Sequence, residues 1–126
     1  MSVLTTAELN YLADQQAARY PYFSAHTGAT GTTGANEATG GGYARVASNF
    51  NTAGTAGPLG STLQPATPGV AWASVSFTVA AGTYTDVGGW SASTSGTFRW
   101  GDDLNASQVS SGGTIGPISI KVGPGA

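Results

Sequence analysis

Residues 70–90 read VAWASVSFTVAAGTYTDVGGW and carry the strongest secondary-structure pattern in the chain. Apolar residues alternate with Ser and Thr over residues 75–79, which is the period-two pattern of a half-buried β-strand. The dipeptide Ala81-Gly82 is a turn signal, and a second strand signal follows at residues 83–90. This pattern predicts two strands joined as a hairpin, with the second strand pairing with the first.

A helix is predicted near the N-terminus, at about residues 6–19. Thr5 and Glu8 have the spacing of a capping box. Pro21 ends the segment, because the residue before a proline avoids helical geometry. A helix of this length is not stable alone, so we expect its apolar stripe to dock on a sheet or on a neighbouring subunit. The stripe consists of Leu9, Leu12, Ala13 and Ala17.

Short strand signals lie on both sides of the central pattern and predict the fold class. They fall at residues 22–26, 43–50, 97–100 and 118–122, and are separated by a glycine-rich loop at 27–42 and a proline-rich connection at 54–69. Several short strands after one helix predict a mainly β fold, either a small antiparallel β-sandwich or an open barrel with one N-terminal α-helix. A length of 126 residues predicts a single domain, with β-hairpins over residues 70–122.

The composition is unusually poor in charge and narrows the function classes. Charged residues make up 8% of the chain, against roughly 25% in ordinary soluble domains. A surface of Ser, Thr, Gly and Ala is easily desolvated, which favours packing against other subunits over the alternative of an extracellular monomer. Only four basic residues are present, so we expect no nucleic-acid partner. No apolar run is long enough to predict a membrane partner.

Candidate catalytic and ligand-binding residues are few and form no recognised motif. His26 is the only histidine, and no nucleophile or orienting acid can be assigned to it, so we predict a solvated or hydrogen-bonded histidine at a strand end. Asp102, Asp103 and Asn105 offer oxygen ligands for calcium, but their spacing is not that of a calcium loop. The glycines at 28–42 lack the Gly-Lys-Ser/Thr of a phosphate loop. We predict no catalytic residue, no metal ion and no cofactor.

Two other function classes remain open at this point. Trp72, Trp90 and Trp100 would suit a carbohydrate-binding module if at least two of them were exposed and coplanar, although such residues more often fill a core or an interface. A glycoside hydrolase would need two carboxylates facing a groove. Nothing in the sequence selects a pair among Glu8, Glu37, Asp86, Asp102 and Asp103, and the hydrolase that we consider would use Asp102 or Asp103 together with Glu37.

The segment at residues 32–45 (TTGANEATGGGYAR) is the best candidate for an assembly contact. A segment so rich in glycine buries few side chains, so it is either flexible or held by something outside itself. We expect Glu37 and Arg45 to pair across its base and, as an exposed pair, to contribute at most about 1 kcal/mol. The predicted contact residues are Thr33, Asn36, Glu37, Tyr43 and Arg45.

Several short motifs, in order along nearly the whole chain, resemble a family of small tailed-phage proteins. The motifs are 25–27 (AHT), 32–37 (TTGANE), 39–45 (TGGGYAR), 89–92 (GWSA), 95–98 (SGTF) and 104–108 (LNASQ). The family is generally labelled as tail-fibre or minor structural proteins of actinobacterial phages. The resemblance implies an N-terminal helix, a β-rich body with a hairpin at the GWSA and SGTF motifs, and no catalytic residues.

Together, the composition and the resemblance predict a non-enzymatic structural protein on the surface of a phage virion. We expect a capsid decoration subunit that docks by interface burial, as a homo-oligomer (a trimer), on sibling copies and on the major capsid protein. The alternative is a tail-fibre or tail-tip protein, with host-surface carbohydrate binding. Decoration is preferred because a fibre shaft needs length, heptads or repeated elements, which 126 residues without a repeat do not provide.

Overall fold

The computed structural model describes residues 3–126 and has a mainly β architecture. One helix precedes six strands, in two antiparallel sheets that do not close into a barrel. The elements are α1 (Thr6–Ala17), β1 (Tyr22–His26), β2 (Val46–Ala47), β3 (Ala71–Val79), β4 (Gly82–Trp90), β5 (Phe98–Ser110) and β6 (Gly113–Val122). The predicted mainly β fold with one N-terminal helix is confirmed. Within residues 3–126, no helix is long and apolar enough to cross a membrane.

The chain divides into two compact units, each built from separate segments. The helical unit contains residues 3–18, Asn49–Ser74 and Ser119–Ala126, and the sheet unit contains Arg19–Ser48 and Val75–Ile118. The prediction of a single domain, which rested on chain length, stays a prediction.

The sheet topology shows that the predicted hairpin at residues 70–90 is wrong. The four-stranded sheet has the order β2-β1-β4-β5, and β3 pairs with β6 in a separate two-stranded sheet. One edge of β4 pairs with β1 and the other with β5. The neighbours of β4 are therefore β1 and β5, and β3 is not among them. The turn at Ala81-Gly82 therefore carries the chain from one sheet to the other.

Strand β5 is much longer than the four residues predicted at 97–100. It contains 13 residues, and its register with β4 runs from Trp90↔Phe98 to Gly82↔Ser110. The residues after Trp100 are mostly polar and show no clear alternation, so the sequence pattern did not reveal this strand. Backbone pairing with β4 defines it instead. Asp102 and Asp103 consequently lie on a strand and not on a turn.

The first turn of α1 has the cap predicted from the sequence. Thr5 Oγ1 accepts a hydrogen bond from the backbone N–H of Glu8 at 3.2 Å. The helix ends at Ala17, two residues before the predicted end. Ala13 and Ala17 are buried, whereas Leu12 is 39% exposed. The buried stripe is therefore narrower than predicted.

Polar side chains complete the attachment of α1 to the helical unit. Asn10 Oδ1 accepts a hydrogen bond from the N–H of Gly69 at 2.8 Å, and Asp14 Oδ1 accepts one from the N–H of Ala53 at 2.8 Å. Two backbone donors of the irregular segments are thus satisfied by the helix. The helix docks within its own chain.

The connection at residues 54–69 is irregular, as predicted, and one buried side chain organises it. Gln64 is fully buried. Its Nε2 donates to Ala73 O at 2.7 Å and to Ser119 Oγ at 2.9 Å, and its Oε1 accepts from Leu59 N–H at 2.9 Å. A buried amide with all of these partners fixes the path of the connection.

Gly88, in the middle of β4, allows side chains from neighbouring strands to meet over it. A Cβ atom added to Gly88 would lie 2.7 Å from Ser24 Oγ, 2.8 Å from Phe98 Cε1 and 2.9 Å from His26 Nε2. These distances are too short for nonbonded contacts. The absence of a side chain at Gly88 is therefore a packing requirement.

We expect Gly88→Ala to lower the free energy of unfolding by about 1–3 kcal/mol, because the added methyl group overpacks a closed site. Gly28→Ala is the matched control. The Cβ atom added at residue 28 would first meet the side-chain amide nitrogen of Asn36, at 3.2 Å, and a side chain can shift by a few tenths of an ångström. Urea unfolding of both variants measures the difference. Equal losses in the two variants would contradict this packing argument.

Candidate functional site

Residues 27–36, here called the cap, leave β1 and fold back against the sheet of their own unit. Gly34 N–H and Ala35 N–H both donate to Thr30 O, at 3.0 and 2.9 Å. Thr27 N–H donates to Asn36 O at 3.0 Å, and His26 and Glu37 form an antiparallel bridge at the base. The glycine-rich segment is therefore ordered by hydrogen bonds within its own chain.

Gly34 brings the cap backbone into direct contact with two aromatic rings. Its φ is +74°, a conformation that glycine adopts without the steric cost of a side chain. A Cβ atom at this position would lie 2.5 Å from Trp90 Cζ2 and 2.9 Å from Phe98 Cδ1. This glycine of the TTGANE motif thus serves close packing and not flexibility.

The predicted pair of Glu37 and Arg45 is present and is bidentate. Arg45 Nε lies 2.9 Å from Glu37 Oε2, and Arg45 Nη2 lies 2.9 Å from Glu37 Oε1. The side chains are 9% exposed for Arg45 and 23% for Glu37, so the expectation of an exposed pair was wrong. Two parallel charge-assisted hydrogen bonds make the pair more specific in geometry and stronger than a single contact.

Arg45 also binds the turn between β4 and β5. Its Nη1 donates to Ala92 O at 3.1 Å and to Ser95 O at 2.7 Å. Its guanidinium carbon lies 3.6 Å from the centroid of the Trp90 ring, in a cation–π contact. Arg45, which directly precedes β2, therefore connects Glu37 to the turn between β4 and β5.

The protonation states of Glu37 and Tyr43 follow from this arrangement. Burial acts to raise the pKa of Glu37, but hydrogen bonds from Arg45 and Tyr43 outweigh it and leave that pKa below its usual value. Burial and the hydrogen bond to Glu37 raise the pKa of the Tyr43 phenol. At neutral pH, Tyr43 Oη therefore donates to an ionised Glu37 Oε2, at 2.8 Å.

A second network, centred on two buried side chains, lies beneath the cap. Trp90 Nε1–H donates to Ser24 Oγ at 2.8 Å, and Ser24 Oγ lies 2.6 Å from His26 Nε2. On the other side of the ring, His26 Nδ1 lies 2.7 Å from Ala35 O. Ser24 and His26 are both 0% exposed.

The Ser24–His26 contact has the spacing of a nucleophile and its base, yet its surroundings indicate a structural role. Both side chains are closed off from solvent, and a backbone carbonyl occupies the place at which a catalytic triad has a carboxylate. Burial lowers the pKa of His26. This agrees with the prediction of a hydrogen-bonded histidine at a strand end.

The carboxylates proposed for hydrolysis or calcium binding lie in different settings. Asp102 and Asp103 are exposed on β5, and Asp103 is the register partner of Asp86 on β4. A hydrogen bond to Asp86 raises the pKa of Asp103. Glu37 is already held by Arg45 and Tyr43. Among residues 3–126, no group of three or more His, Cys, Asp or Glu side chains could hold a metal ion.

Each of the three tryptophans has a packing role within its own unit. Trp90 is 9% exposed and meets Phe98 edge to face, with centroids 5.1 Å apart. Trp100 is half-buried and stacks on Tyr20, with centroids 5.7 Å apart. In the helical unit, Trp72 is half-buried and its Nε1 donates to Pro65 O at 2.9 Å. Trp90 is therefore not available as a sugar platform.

The five residues predicted as assembly contacts separate into two groups. Glu37, Tyr43 and Arg45 are used inside the chain, as described above. Thr33 and Asn36 are exposed, and the Asn36 amide donates to Ala29 O at 2.9 Å. Sequence reasoning missed Ser24 and Phe98, and it did not predict that Trp90 lies against the cap. The GWSA and SGTF motifs, which contain Trp90 and Phe98, were the signals that could have indicated this contact.

Arg45→Lys is expected to lower the free energy of unfolding by about 1–3 kcal/mol, because lysine cannot reproduce the bidentate pair, the carbonyl bonds and the stacking together. Arg99→Lys is the matched control, since Arg99 is exposed and makes one carbonyl bond, to Arg19 O at 2.9 Å. Chemical denaturation of the two variants tests the expectation. A loss for Arg99→Lys as large as that for Arg45→Lys would contradict it.

The contribution of Glu37 to stability should depend on pH. Because its folded-state pKa is lowered, the contribution is present above about pH 4.3, the unfolded value, and is lost as the pH falls through the folded value. The difference in unfolding free energy between the native chain and Glu37→Gln should therefore be largest near pH 7 and shrink towards pH 3. A difference that stays constant over this range would show that the ionised carboxylate is unimportant.

Comparison with known protein families shows a match that covers almost all of the chain. Residues 2–122 match the family described as podophage GP4 fiber I protein gp80. No curated protein and no solved structure matches the chain. The matched region contains the whole cap, the Glu37–Arg45 pair and both sheets. The chain belongs to the podophage GP4 fiber I protein gp80 family.

Proposed function

We propose that this protein, a phage virion structural protein by its family, is a non-enzymatic subunit of a virion fibre that assembles by interface burial. The observation that carries the proposal is the family match over residues 2–122, since nearly the whole chain corresponds to a fibre protein family. The same match favours the fibre alternative over capsid decoration. Decoration stays a prediction from the sequence.

The architecture supports a compact part of a fibre and not its shaft. The longest strand contains 13 residues, which corresponds to about 43 Å of extended chain. The sequence contains no repeat that could lengthen this body. A fibre head or an attachment piece of the fibre fits these dimensions.

The state of the titratable side chains supports a non-enzymatic role. His26 is buried and hydrogen-bonded through both ring nitrogens. Glu37 is neutralised by a bidentate arginine. The groups best placed for acid–base chemistry are thus used to hold the fold together.

The partners we propose are sibling copies, as a trimer, and neighbouring virion proteins. Helix α1 and the residues before it offer a contact surface, here called the helical strip: Leu4, Tyr11 and Leu12, which are 47%, 57% and 39% exposed. Tyr11 and Leu12 are consecutive residues of α1, and Leu4 directly precedes its N-cap residue, Thr5. An exposed apolar strip on a protein with so few charges is suited to burial against a partner.

Substituting all three residues of the helical strip by serine should leave the fold intact and reduce incorporation into particles by at least about tenfold, equivalent to about 1.4 kcal/mol of contact energy. The matched control is Leu63→Ser with Val109→Ser, which removes two other exposed apolar side chains. Quantitative blotting of purified particles provides the readout. Equal incorporation of both variants would refute the helical strip as a docking surface.

Immunogold labelling of intact particles with an antibody to this chain tests the proposed location. The fibre proposal predicts gold particles at fibres alone. Label spread evenly over the capsid would contradict the proposal and support decoration.

A further inference from the structure

The imidazole of His26 joins the cap to the sheet through hydrogen bonds at both of its ring nitrogens. Its Nδ1 donates to Ala35 O, in the cap, at 2.7 Å. Its Nε2 accepts from Ser24 Oγ at 2.6 Å, and Ser24 in turn accepts from Trp90 Nε1–H at 2.8 Å. The hydrogen bonds therefore run in one direction, from Trp90 and Ser24 in the sheet through the imidazole to Ala35 in the cap.

This geometry requires a neutral ring. A carbonyl oxygen only accepts, so Nδ1 carries the proton that bonds Ala35. Ser24 already accepts from Trp90, and Nε2 is the acceptor for its own hydroxyl proton. A second proton on the ring would occupy Nε2 and leave the buried Ser24 hydroxyl proton without its acceptor. It would also place a charge in a site with no solvent access.

The charged groups around the ring have opposing effects on the pKa of His26, and burial outweighs them. Asp86 on β4 is the register partner of His26, and Glu37 follows the cap, so that both carboxylates favour the protonated ring. Arg45 opposes protonation. Asp103 on β5 is the register partner of Asp86, and its pKa is raised by Asp86. Burial dominates and lowers the pKa of His26.

We propose that His26 is an acid-sensitive latch of the cap: its neutral form holds residues 27–36 on the sheet, and its protonation releases them. Release would uncover the aromatic surface of Trp90 and Phe98, on which Gly34 now lies. The device adds an acid-triggered local opening to the proposed structural role and does not depend on where in the virion the protein sits.

The size of the effect has an upper limit. In the open form the ring titrates near its ordinary value of about 6.5, so the ratio of open to closed cap rises by at most about 30-fold between pH 8 and pH 5. Glu37 remains ionised over this range, because its pKa is lowered. The opening should therefore follow His26 and not the ion pair.

Nuclear magnetic resonance of the native chain tests the latch directly, because His26 is the only histidine. The ring ¹⁵N shifts report the tautomer and the titration without ambiguity. Amide hydrogen exchange of Gly34 and Ala35, corrected for intrinsic rates and divided by that of the β4 amides, reports local opening. We expect the Nδ1–H tautomer at pH 7 and an exchange ratio that rises as the pH falls below about 6.5, ahead of the titration of the closed form, whose pKa is lowered. An Nε2–H tautomer, or a ratio that stays flat between pH 8 and pH 5, would overturn the proposal.

Two variants separate the latch from the ion pair. His26→Gln cannot titrate, so its exchange ratio should be independent of pH between 8 and 5, whatever its baseline. Glu37→Gln retains the histidine and should keep the pH dependence. Loss of the dependence in Glu37→Gln alone would assign the opening to the ion pair and refute the latch. If His26→Gln fails to fold, the tautomer and the exchange ratio of the native chain still test the latch.

Discussion

The sheet unit depends most on the bidentate pair of Arg45 and Glu37, with the guanidinium stacked on Trp90. These contacts connect the end of the glycine-rich segment, the approach to β2 and the turn between β4 and β5. Residues far apart in sequence are thereby brought together by one planar group with several fixed donors. In a chain with only four basic and six acidic residues, few other charges compete for either partner.

The glycine-rich segment gains its order from close contact and not from side-chain burial of its own. Gly34 lets the cap backbone lie on Trp90 and Phe98, and Gly88 leaves room for Ser24 and His26 below it. The entropy lost on ordering these glycines is offset by aromatic packing and by buried hydrogen bonds that depend on the close approach. The glycine content of residues 32–45 predicted a segment that is either flexible or held from outside. The structure shows instead that the cap is held by contacts within its own chain.

Local patterns predicted the elements better than their pairing. The helix cap at Thr5, the strand at 22–26 and the Glu37–Arg45 pair followed from short-range signals. The separation of β3 from β4 did not, because alternation shows which face of a strand is buried and not which neighbour it pairs with. The length of β5 was missed because backbone pairing defines it.

The candidate site shows the same limit. The sequence singled out Glu37, Tyr43, Arg45 and Trp90 separately, but stacking of Arg45 on Trp90 joins residues 45 positions apart, which no local pattern encodes. Glu37, Tyr43 and Arg45 make contacts inside the chain, and their role as assembly contacts stays a prediction. The contacts that we propose between subunits are those of the helical strip.

Backbone ¹⁵N relaxation of the isolated protein tests most directly whether residues 32–45 are ordered by their own chain. The account predicts order parameters of about 0.85 through this segment, equal to those of the sheet. Values below about 0.6 that rise only in the assembled particle would contradict it, and would show that the segment is ordered by its neighbours.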